Sequence, residues 1–389
     1  METSEIFIGR KEIRNFLKER VFYPYDAPTL DYCPLVAPRG YGKSLLMREL
    51  DREFLKRKPH NVYHVMIAVD FDDDYVQFWL RLLYKFSMTV EVIDPSLLSE
   101  TGDPAYRFAV FTAHRIHSYI QGVTRKDSVA DGFRAKLDEC RARLLEAYRR
   151  LHIRLIVTVD DFDRAEILGE EFLKGLRDCA RPDADGGVWV SIITLSHLWI
   201  RAGEDASLWG EPIYLGGFSN EELEEFFESF RELPCGVPPQ SVRMNLLYLC
   251  GRSPKLLMYL RRRLRHDASF DWDLLELYDQ NKRYFDMVYK NTTFMLRFRF
   301  TDEWHTTSLL DAFHRQLVDA DFSALVDAEG ELEVLRQYGY VTLESSENHL
   351  FEQLGLPISL SVDETKRTHI YEPLSPYLLD LIRYQKRDT

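Results

Sequence analysis

The residues best suited to chemistry lie in Ala37–Ser44, whose sequence APRGYGKS follows a short apolar run. Its two glycines permit a loop with inward-pointing backbone N–H groups, and a helix beginning at the loop's end adds partial positive charge. In such a loop Lys43 would reach the β- and γ-phosphates of a nucleotide, and the Ser44 hydroxyl would contact Mg²⁺. The segment predicts a phosphate-binding loop, with Ala37 in place of the first glycine of G-x-x-x-x-G-K-[ST].

A second segment offers the carboxylates that a nucleotide site needs at the end of a neighbouring buried strand. The apolar run 155–159 is followed directly by Asp160 and Asp161. Asp160 would orient Mg²⁺, and Asp161 would polarise an attacking water. Two acids can also simply end a strand and begin a turn. A glycine loop followed by an acid-ended strand, in this order, favours the nucleotide site.

The elements that must position these residues alternate between strand and helix over the first 215 residues or so, which predicts a parallel sheet covered on both faces. The predicted strands are 33–36, 62–69, 153–159, 188–195 and 213–215. Glu221–Phe294 is predicted to be helical, with breaks at Leu233–Pro239 and Gly251–Pro254. Helices from Thr301 onward, followed by strands at 338–343 and 369–372, indicate a winged helix.

These patterns predict an α/β fold in three parts. Residues 1–217 would form a P-loop NTPase core with a parallel sheet. Residues 218–300 would form an all-α lid, and residues 301–389 a winged-helix-like α+β tail. We find no internal repeat, so the sequence predicts neither a solenoid nor a propeller.

The composition excludes several classes of protein. The chain has 389 residues, 45% of them hydrophobic, which is enough to bury a full core. No apolar run is long enough to cross a bilayer, and five widely spaced cysteines form no C-x-x-C pair, so we expect a cytoplasmic protein with reduced thiols and no zinc site.

Charge narrows the expected partners. The net charge of −13 disfavours a protein that mainly coats nucleic acid, although a local basic patch is compatible with it. The dense basic cluster Arg261–Arg263 with Arg265 is predicted to be a solvated helix surface. The acids of 70–74 follow a predicted strand, and we expect them to cap the next helix rather than to bind a metal.

Several of these motifs together resemble those of STAND ATPases, the signal-transduction branch close to AAA+ proteins. Ala37–Ser44 is similar to the family's A-P-x-G-Y-G-K-T loop, and Val157–Asp163 resembles its Walker B strand. Phe7–Glu12 resembles the segment that covers the adenine, and residues 62–78 resemble the second strand with its acidic turn. Gly251–Pro254 resembles the Gly-x-Pro segment of the lid. The resemblance covers roughly residues 5–265.

The resemblance implies ATP or ADP with Mg²⁺ as cofactors, and a set of residues that would hold them. The catalytic residues would be Asp161 and Asp160, and Ser44 and Asp160 would lie at the metal. The nucleotide would be contacted by Gly40, Tyr41, Gly42, Lys43, Ser44 and Leu45 of the loop, by Ile8, Gly9 and Arg10, and by Pro254 from the lid.

One departure concerns the γ-phosphate sensor. The family's strand after Walker B usually ends in Thr or Ser followed by Arg, whereas here it ends in Thr194, Leu195, Ser196 and His197. Thr194, Ser196 and His197 are therefore the sensor candidates, and the sequence does not separate them. No arginine finger is assignable among Arg39, Arg164 and Arg201. Slow turnover or none would follow, because such an arginine contributes roughly 10³–10⁵ in rate.

Three functions fit these features. The first is an ATP-binding, slowly hydrolysing switch that controls assembly as a homo-oligomer or in a complex with an effector protein, with bacterial anti-phage defence or regulation as the family's implied processes. The second is a DNA-associated AAA+-like ATPase of the origin or transposition-regulator type, although residues 327–337 of the tail are acidic rather than basic. The third is a nucleotide-binding scaffold without turnover.

Overall fold

Strands and helices alternate along the first half of the chain. The computed structural model describes residues 7–23, 29–56, 61–70, 73–88, 104–123, 132–183, 186–196, 212–264, 278–288, 341–345, 369–373, 375 and 377. The strands are β1 (Tyr32–Val36), β2 (Val62–Ala68), β3 (Arg154–Asp160), β4 (Val190–Ser196), β5 (Ile213–Tyr214), β6 (Val341–Ser345) and β7 (His369–Pro373).

Helices connect these strands and form most of the described residues between 212 and 288. They are α1 (Lys11–Leu17), α2 (Lys43–Lys56), α3 (Tyr75–Met88), α4 (Pro104–Gln121), α5 (Phe133–Arg150), α6 (Ala165–Leu168), α7 (Glu170–Ala180), α8 (Asn220–Glu228), α9 (Gln240–Cys250), α10 (Pro254–Leu264) and α11 (278–288). None of the described helices is both long and apolar enough to span a membrane.

Five of the strands form one sheet in the order β2-β3-β4-β1-β5. β2 pairs with β3 in parallel, with Val65 opposite Val157, and β3 pairs with β4 in parallel, with Val159 opposite Thr194. Every residue of β1 and of β4 is buried. Continuous burial is typical of parallel strands covered on both faces, which is why these strands read as apolar runs. The predicted α/β class with a parallel sheet is confirmed.

The turn after β2 shows how the sheet passes into its helices. The Asp74 carboxylate accepts a hydrogen bond of 2.8 Å from the backbone N–H of Gln77 and so caps α3. The predicted capping role of this acidic turn is confirmed at Asp74. On α3, Phe78 and Trp79 are buried, and the ring of Phe78 packs edge-on against Phe172 of α7 at a centroid distance of 4.7 Å.

The chain divides into two compact units. The first comprises Met1–Arg10, Val36–Lys43 and Tyr214–Thr389, and the second comprises Lys11–Leu35 and Ser44–Ile213. The division into a core of residues 1–217, a lid of 218–300 and a tail of 301–389 stays a prediction.

In the first unit, the helical segment after β5 begins at a capping box. The Ser219 hydroxyl accepts a hydrogen bond from the Glu222 N–H (3.2 Å), and the Glu222 carboxylate accepts one from the Ser219 N–H (3.0 Å). β6 and β7 pair antiparallel, with Val341 opposite Pro373. These are the two strands predicted for the wing, whereas the helices predicted between Thr301 and β6 lie outside the described residues.

The spacing of Ile13, Phe16 and Leu17 predicts one face of a helix that runs to about Glu19. Leu17 is buried, whereas Phe16 is 37% exposed and the Arg20 guanidinium lies over its ring. The α-helix ends at Leu17 and continues as a π-helical turn to Phe22, whose wider spacing departs from the 3.6-residue period.

The prediction of a solvated surface for the basic cluster on α10 is wrong in part. Arg262 and Arg263 are exposed as predicted, but Arg261 is buried. Its guanidinium donates to the Ser229 hydroxyl at 2.8 Å and to the Ser229 carbonyl at 2.9 Å. Ser229 follows α8, where backbone carbonyls lack helical partners, so Arg261 supplies hydrogen bonds that the helix end needs.

Replacing Ser219 with alanine should lower the free energy of unfolding by about 1 kcal/mol, because the substitution removes the N-cap hydrogen bond of α8. Urea denaturation followed by circular dichroism measures this change. Ser118→Ala is a suitable control, since Ser118 lies on the exposed side of α4 and only bonds back to His114 within its own helix. A Ser219→Ala variant as stable as the wild type would contradict the assigned cap.

The cysteines give a prediction about reactivity. All five thiols are free, and Cys33, Cys179 and Cys250 are buried. Burial disfavours the thiolate and raises the pKa of both Cys33 and Cys179 to about 12, and that of Cys250 well above its ordinary value. We expect these three thiols to resist alkylation at pH 8 in the folded protein and to react after unfolding, as measured by mass spectrometry.

The same raised pKa values determine how the stability of the folded protein changes with pH. In the unfolded chain the Cys33 and Cys179 thiols ionise near pH 9, whereas in the folded chain they stay protonated up to about pH 12. The unfolded state therefore loses protons first, and stability should fall as the pH rises above 9. Alkylation of the buried thiols at the unfolded rate under native conditions would contradict the burial that both expectations rest on.

Candidate functional site

The predicted phosphate loop, in the first unit, has the backbone that its glycines predict. Gly40 and Gly42 have φ of +87° and +90°, in the left-handed region that glycine adopts without a steric penalty. The Lys43 ammonium donates to the carbonyl of Ala37 at 2.6 Å and to that of Pro38 at 3.4 Å. Lys43 thus lies across its own loop, bound to backbone oxygens that an incoming phosphate oxygen would replace.

Gly40 is also where a lysine from α10 reaches the loop. A Cβ built on Gly40 would lie 2.5 Å from Cδ of Lys255, so only glycine permits this close approach. Burial, together with the nearby Arg39 guanidinium, lowers the pKa of the Lys255 ammonium. Neither Arg39 nor Lys255 has a carboxylate partner among the residues that the structure describes. Two neighbouring cations without carboxylate partners give this loop a positive potential, which favours anionic ligands.

The segment predicted to cover the adenine is anchored to the start of α8. Ile8 and Arg10 are buried, and the Arg10 N–H donates to the Glu222 carboxylate. The Arg10 guanidinium donates to the carbonyls of Gly216 (2.8 Å) and Gly217 (3.2 Å) and lies over the Phe218 ring. Gly9 is buried beside Arg10, so all three predicted residues lie in an enclosed segment.

The Gly-x-Pro segment is anchored to the same stretch of chain. Pro254 is the first residue of α10, a position where its missing N–H costs nothing, and the Ser253 hydroxyl accepts from the Leu256 N–H at 3.5 Å. The buried Arg252 donates to the carbonyl of Phe218 at 2.8 Å and to the side-chain oxygen of Asn220 at 2.6 Å. Arg10, which precedes residues 216–220 in the sequence, and Arg252, which follows them, therefore both donate hydrogen bonds to this stretch.

In the second unit, Ser44 and Asp160 meet. The Ser44 hydroxyl, in the first turn of α2, donates to Asp160 Oδ2 at 2.7 Å across 116 positions of sequence. The other carboxylate oxygen of Asp160 accepts from the Asp161 N–H at 2.9 Å, and its backbone carbonyl accepts from the Val69 N–H at 3.0 Å. The strand end is thus fixed, with the Asp160 side chain turned to the serine of the loop.

This oxygen pair suits Mg²⁺. A hydroxyl and a carboxylate oxygen are hard ligands, and Mg²⁺ in nucleotide sites usually binds one or two protein oxygens and completes its shell with phosphate and water. The described residues contain no cluster of three or more His, Cys, Asp or Glu that could hold a metal alone. A magnesium site here would therefore depend on oxygens from a bound phosphate.

Asp161 has an unusual backbone. Its φ of +51° and ψ of +36° place it in the left-handed region, which aspartate tolerates better than most residues. Its carbonyl accepts a 3.0 Å hydrogen bond from the Arg164 N–H, which closes a short 3₁₀ turn over Phe162–Arg164. The turn holds a half-buried carboxylate in one fixed backbone conformation directly after the strand.

A histidine that the sequence analysis missed links the two elements carrying Ser44 and Asp160. His64 of β2 bonds through Nδ1 to Asp51 of α2 at 2.7 Å, and through Nε2 to the Thr158 hydroxyl of β3 at 2.9 Å. Its side chain is almost completely buried. The pattern of β2 predicts only a strand residue here, and nothing in the sequence identifies the two partners.

The sensor candidates lie at the end of β4. Thr194 is fully buried, and its hydroxyl forms a 3.1 Å hydrogen bond with the hydroxyl of Tyr32, which is a core residue. Ser196 is buried at the last position of the strand, and His197 lies outside the described residues. Of the arginine-finger candidates, Arg164 donates to the Val69 carbonyl at 3.3 Å, Arg39 is exposed on the loop, and Arg201 lies outside the described residues.

Comparison with known proteins gives similarity of fold. The sequence matches no protein-family model and no curated protein. The structure is similar to a Walker-type ATPase of Pyrococcus abyssi, with 14% identity, a TM-score of 0.52, and coverage of 97% of this chain and 96% of that chain.

Two origin-type structures are also similar. They are the ORC2 protein of Aeropyrum pernix in ADPNP–ADP complexes (13% identity, 97% and 93% coverage, TM-score 0.45) and Cdc6p of Pyrobaculum aerophilum (12% identity, 99% and 97% coverage, TM-score 0.44). Identities this low bear on the fold alone. In the part of the chain that the structure describes, the fold is that of a Walker-type ATPase.

Proposed function

We propose that this protein is an ATP-binding, slowly hydrolysing molecular switch of the STAND type. The observation that carries the proposal is the 2.7 Å hydrogen bond from the Ser44 hydroxyl to the Asp160 carboxylate. Two acids that merely end a strand need no contact with the serine of a glycine loop. A serine and a strand-end aspartate in contact are the pair that holds Mg²⁺ in P-loop enzymes.

Each predicted residue then has a role. Lys43 and the backbone N–H groups of Gly40–Leu45 bind the phosphates, while Ser44 and Asp160 would hold Mg²⁺, which supplies neutralisation of phosphate charge when bound. Asp161 polarises the attacking water. The cations Arg39 and Lys255 support a triphosphate as the ligand, since its charge would relieve their mutual repulsion. Ile8, Gly9, Arg10 and Pro254 would enclose the base.

Slow ATP hydrolysis is what a molecular switch requires, because the ATP-bound state then persists. The strand that would supply a sensor arginine ends in Thr194, Leu195 and Ser196, so the charge that speeds phosphoryl transfer in faster enzymes is missing from that position. A long-lived ATP state can then bias the position of a lid and tail. The output would be assembly of a homo-oligomer or control of an effector protein in the cytoplasm, with bacterial defence or regulation as the process that the family resemblance suggests.

Replacing Lys255 with methionine should weaken ATP binding about tenfold while changing ADP binding much less. Methionine keeps an apolar stem against Gly40 and removes only the charge, whose contact with a terminal phosphate is worth about 1.5–3 kcal/mol. Titration calorimetry with both nucleotides measures the difference. Lys174→Met, at an exposed position of α7, is the matched control. Equal losses for ATP and ADP would contradict a role at the terminal phosphate.

The proposed function is tested by measuring the native mass of the full chain with ADP, with ATP and with a slowly hydrolysed ATP analogue, each with and without duplex DNA. The switch predicts a change of assembly state with ATP or the analogue and reversal with ADP. A complex with DNA that forms only with ATP would instead support a DNA-associated ATPase. ADP retained through purification, with no turnover and no change of mass, would support a scaffold.

A further inference from the structure

The three helices that follow β2 carry positive charge in an acidic protein. α3, α4 and α5 contain ten Arg and Lys but three Asp and Glu, a net charge of +7, whereas the whole chain has −13. On α5 most of these charges are neutralised locally, for example Arg143 by Glu139 and Arg150 by Glu146. On α3, Arg81 pairs with Asp70 and Asp73 of the preceding turn.

Among the described residues, α4 is the helix of the three on which no basic side chain pairs with an acid. Its 18 residues include no Asp or Glu, even in the first turn, where the helix dipole favours an acid. In the whole chain, by contrast, about one residue in six is acidic. Arg107 and Arg115 are exposed, and neither has an acidic partner among the residues that the structure describes. They lie about 12 Å apart along the helix axis.

Two phenylalanines lie on the same exposed side. Phe108 and Phe111 are 63% and 62% exposed, more than any other large hydrophobic residue in the described part of the chain. At three residues apart they are neighbours on the helix surface. With Arg107, His114 and Arg115 they form one surface, which we name the α4 face. Exposing two large aromatic rings costs solvation free energy, and a ligand that covered this face would match it best with apolar area together with negative charge.

We propose that the α4 face binds single-stranded nucleic acid, with Arg107 and Arg115 at phosphates and Phe108 and Phe111 stacked on bases. A single strand supplies both chemistries at once, because its phosphates are regularly spaced and its base faces are open to aromatic rings. A duplex hides those faces. An acidic protein would match the charge, but the absence of any carboxylate on α4 fits a continuous line of phosphates better than a mixed protein surface. This binding activity goes beyond the proposed switch and requires no bound ATP or ADP.

Fluorescence anisotropy tests the proposal on the full chain in the absence of ATP and ADP. The labelled probes are oligo(dT) and oligo(U) of about 16 nucleotides and a duplex of the same length. The wild type should bind at least one single strand more tightly than the duplex. Phe108→Ser with Phe111→Ser should weaken that binding about tenfold or more. Arg107→Ala with Arg115→Ala should reduce the slope of log K against log salt concentration by about 1.4, because two phosphate contacts are lost.

The matched controls are Leu55→Ser, since Leu55 is 60% exposed on α2, and Lys174→Ala on α7. Both should bind like the wild type. The difference between the oligo(dT) and oligo(U) arms tells whether DNA or RNA is preferred. Absence of single-strand binding by the wild type, unchanged affinity of the phenylalanine variant, or equal affinity for the duplex would each overturn the proposal. So would an effect of that variant on sedimentation alone, which would assign the α4 face to self-association.

Discussion

Replacing Lys43 with alanine is expected to weaken ATP binding by about a hundredfold or more and to abolish any ATP-dependent assembly. In the structure the Lys43 ammonium binds the loop carbonyls of Ala37 and Pro38. With nucleotide present, the same ammonium would exchange these neutral acceptors for phosphate oxygens. Charge-assisted hydrogen bonds are worth about 1.5–3 kcal/mol each, so the loss of two corresponds to at least two orders of magnitude in affinity.

Titration calorimetry with ATP measures this loss directly. Lys56→Ala is the matched control, because Lys56 ends the same helix α2 at an exposed position. Its affinity should equal that of the wild type. If Lys43→Ala bound ATP as tightly as the wild type, Ala37–Ser44 would not be a phosphate loop, and the proposed function would fall with it. Single-strand binding by the α4 face should persist in Lys43→Ala, which keeps the two proposals separable.

Replacing Asp161 with asparagine is expected to leave ATP binding intact and to lower the rate of hydrolysis about 10²–10⁴-fold, the usual contribution of a general base. The substitution removes the negative charge of the Asp161 side chain while keeping its size. Asp161 has a φ of +51°, and asparagine is the residue that, after glycine, adopts this left-handed conformation most readily. The 3₁₀ turn after the strand should therefore form in the variant, and the hydrogen bond to Asp160 comes from the backbone N–H, which the substitution keeps.

Single-turnover release of phosphate measures the hydrolysis step, and titration of ATP onto the same sample verifies that binding is unchanged. Asp178→Asn on α7 serves as the control, since it removes an exposed carboxylate of the same second unit. Turnover at the wild-type rate in Asp161→Asn would refute the assigned role of Asp161 without affecting the assignment of the phosphate loop. A wild type that never hydrolyses ATP would leave the scaffold as the better description.

Residue patterns within short stretches of the chain correctly predict those features of the fold that depend on sequence neighbours. Gly40 and Gly42 predict a loop with left-handed backbone, and both residues have it. Apolar runs ending in glycines or acids predict buried parallel strands, because a strand covered on both faces needs no alternation. The run Ser219–Glu222, with acids in the first turn, indicates a helix start, and α8 begins there at Asn220. Each pattern lies within a few residues, where local geometry decides.

Only the tertiary structure decided which distant residues meet. The contact of Ser44 with Asp160 spans 116 positions, and the link from His64 to Thr158 spans 94, so no local pattern encodes either pair. The basic cluster at 261–263 was conspicuous in the sequence, yet Arg261 is buried at the end of another helix. The α4 face was inconspicuous, because exposure rather than spacing defines it. Packing sets exposure, and packing joins segments that the linear sequence keeps apart.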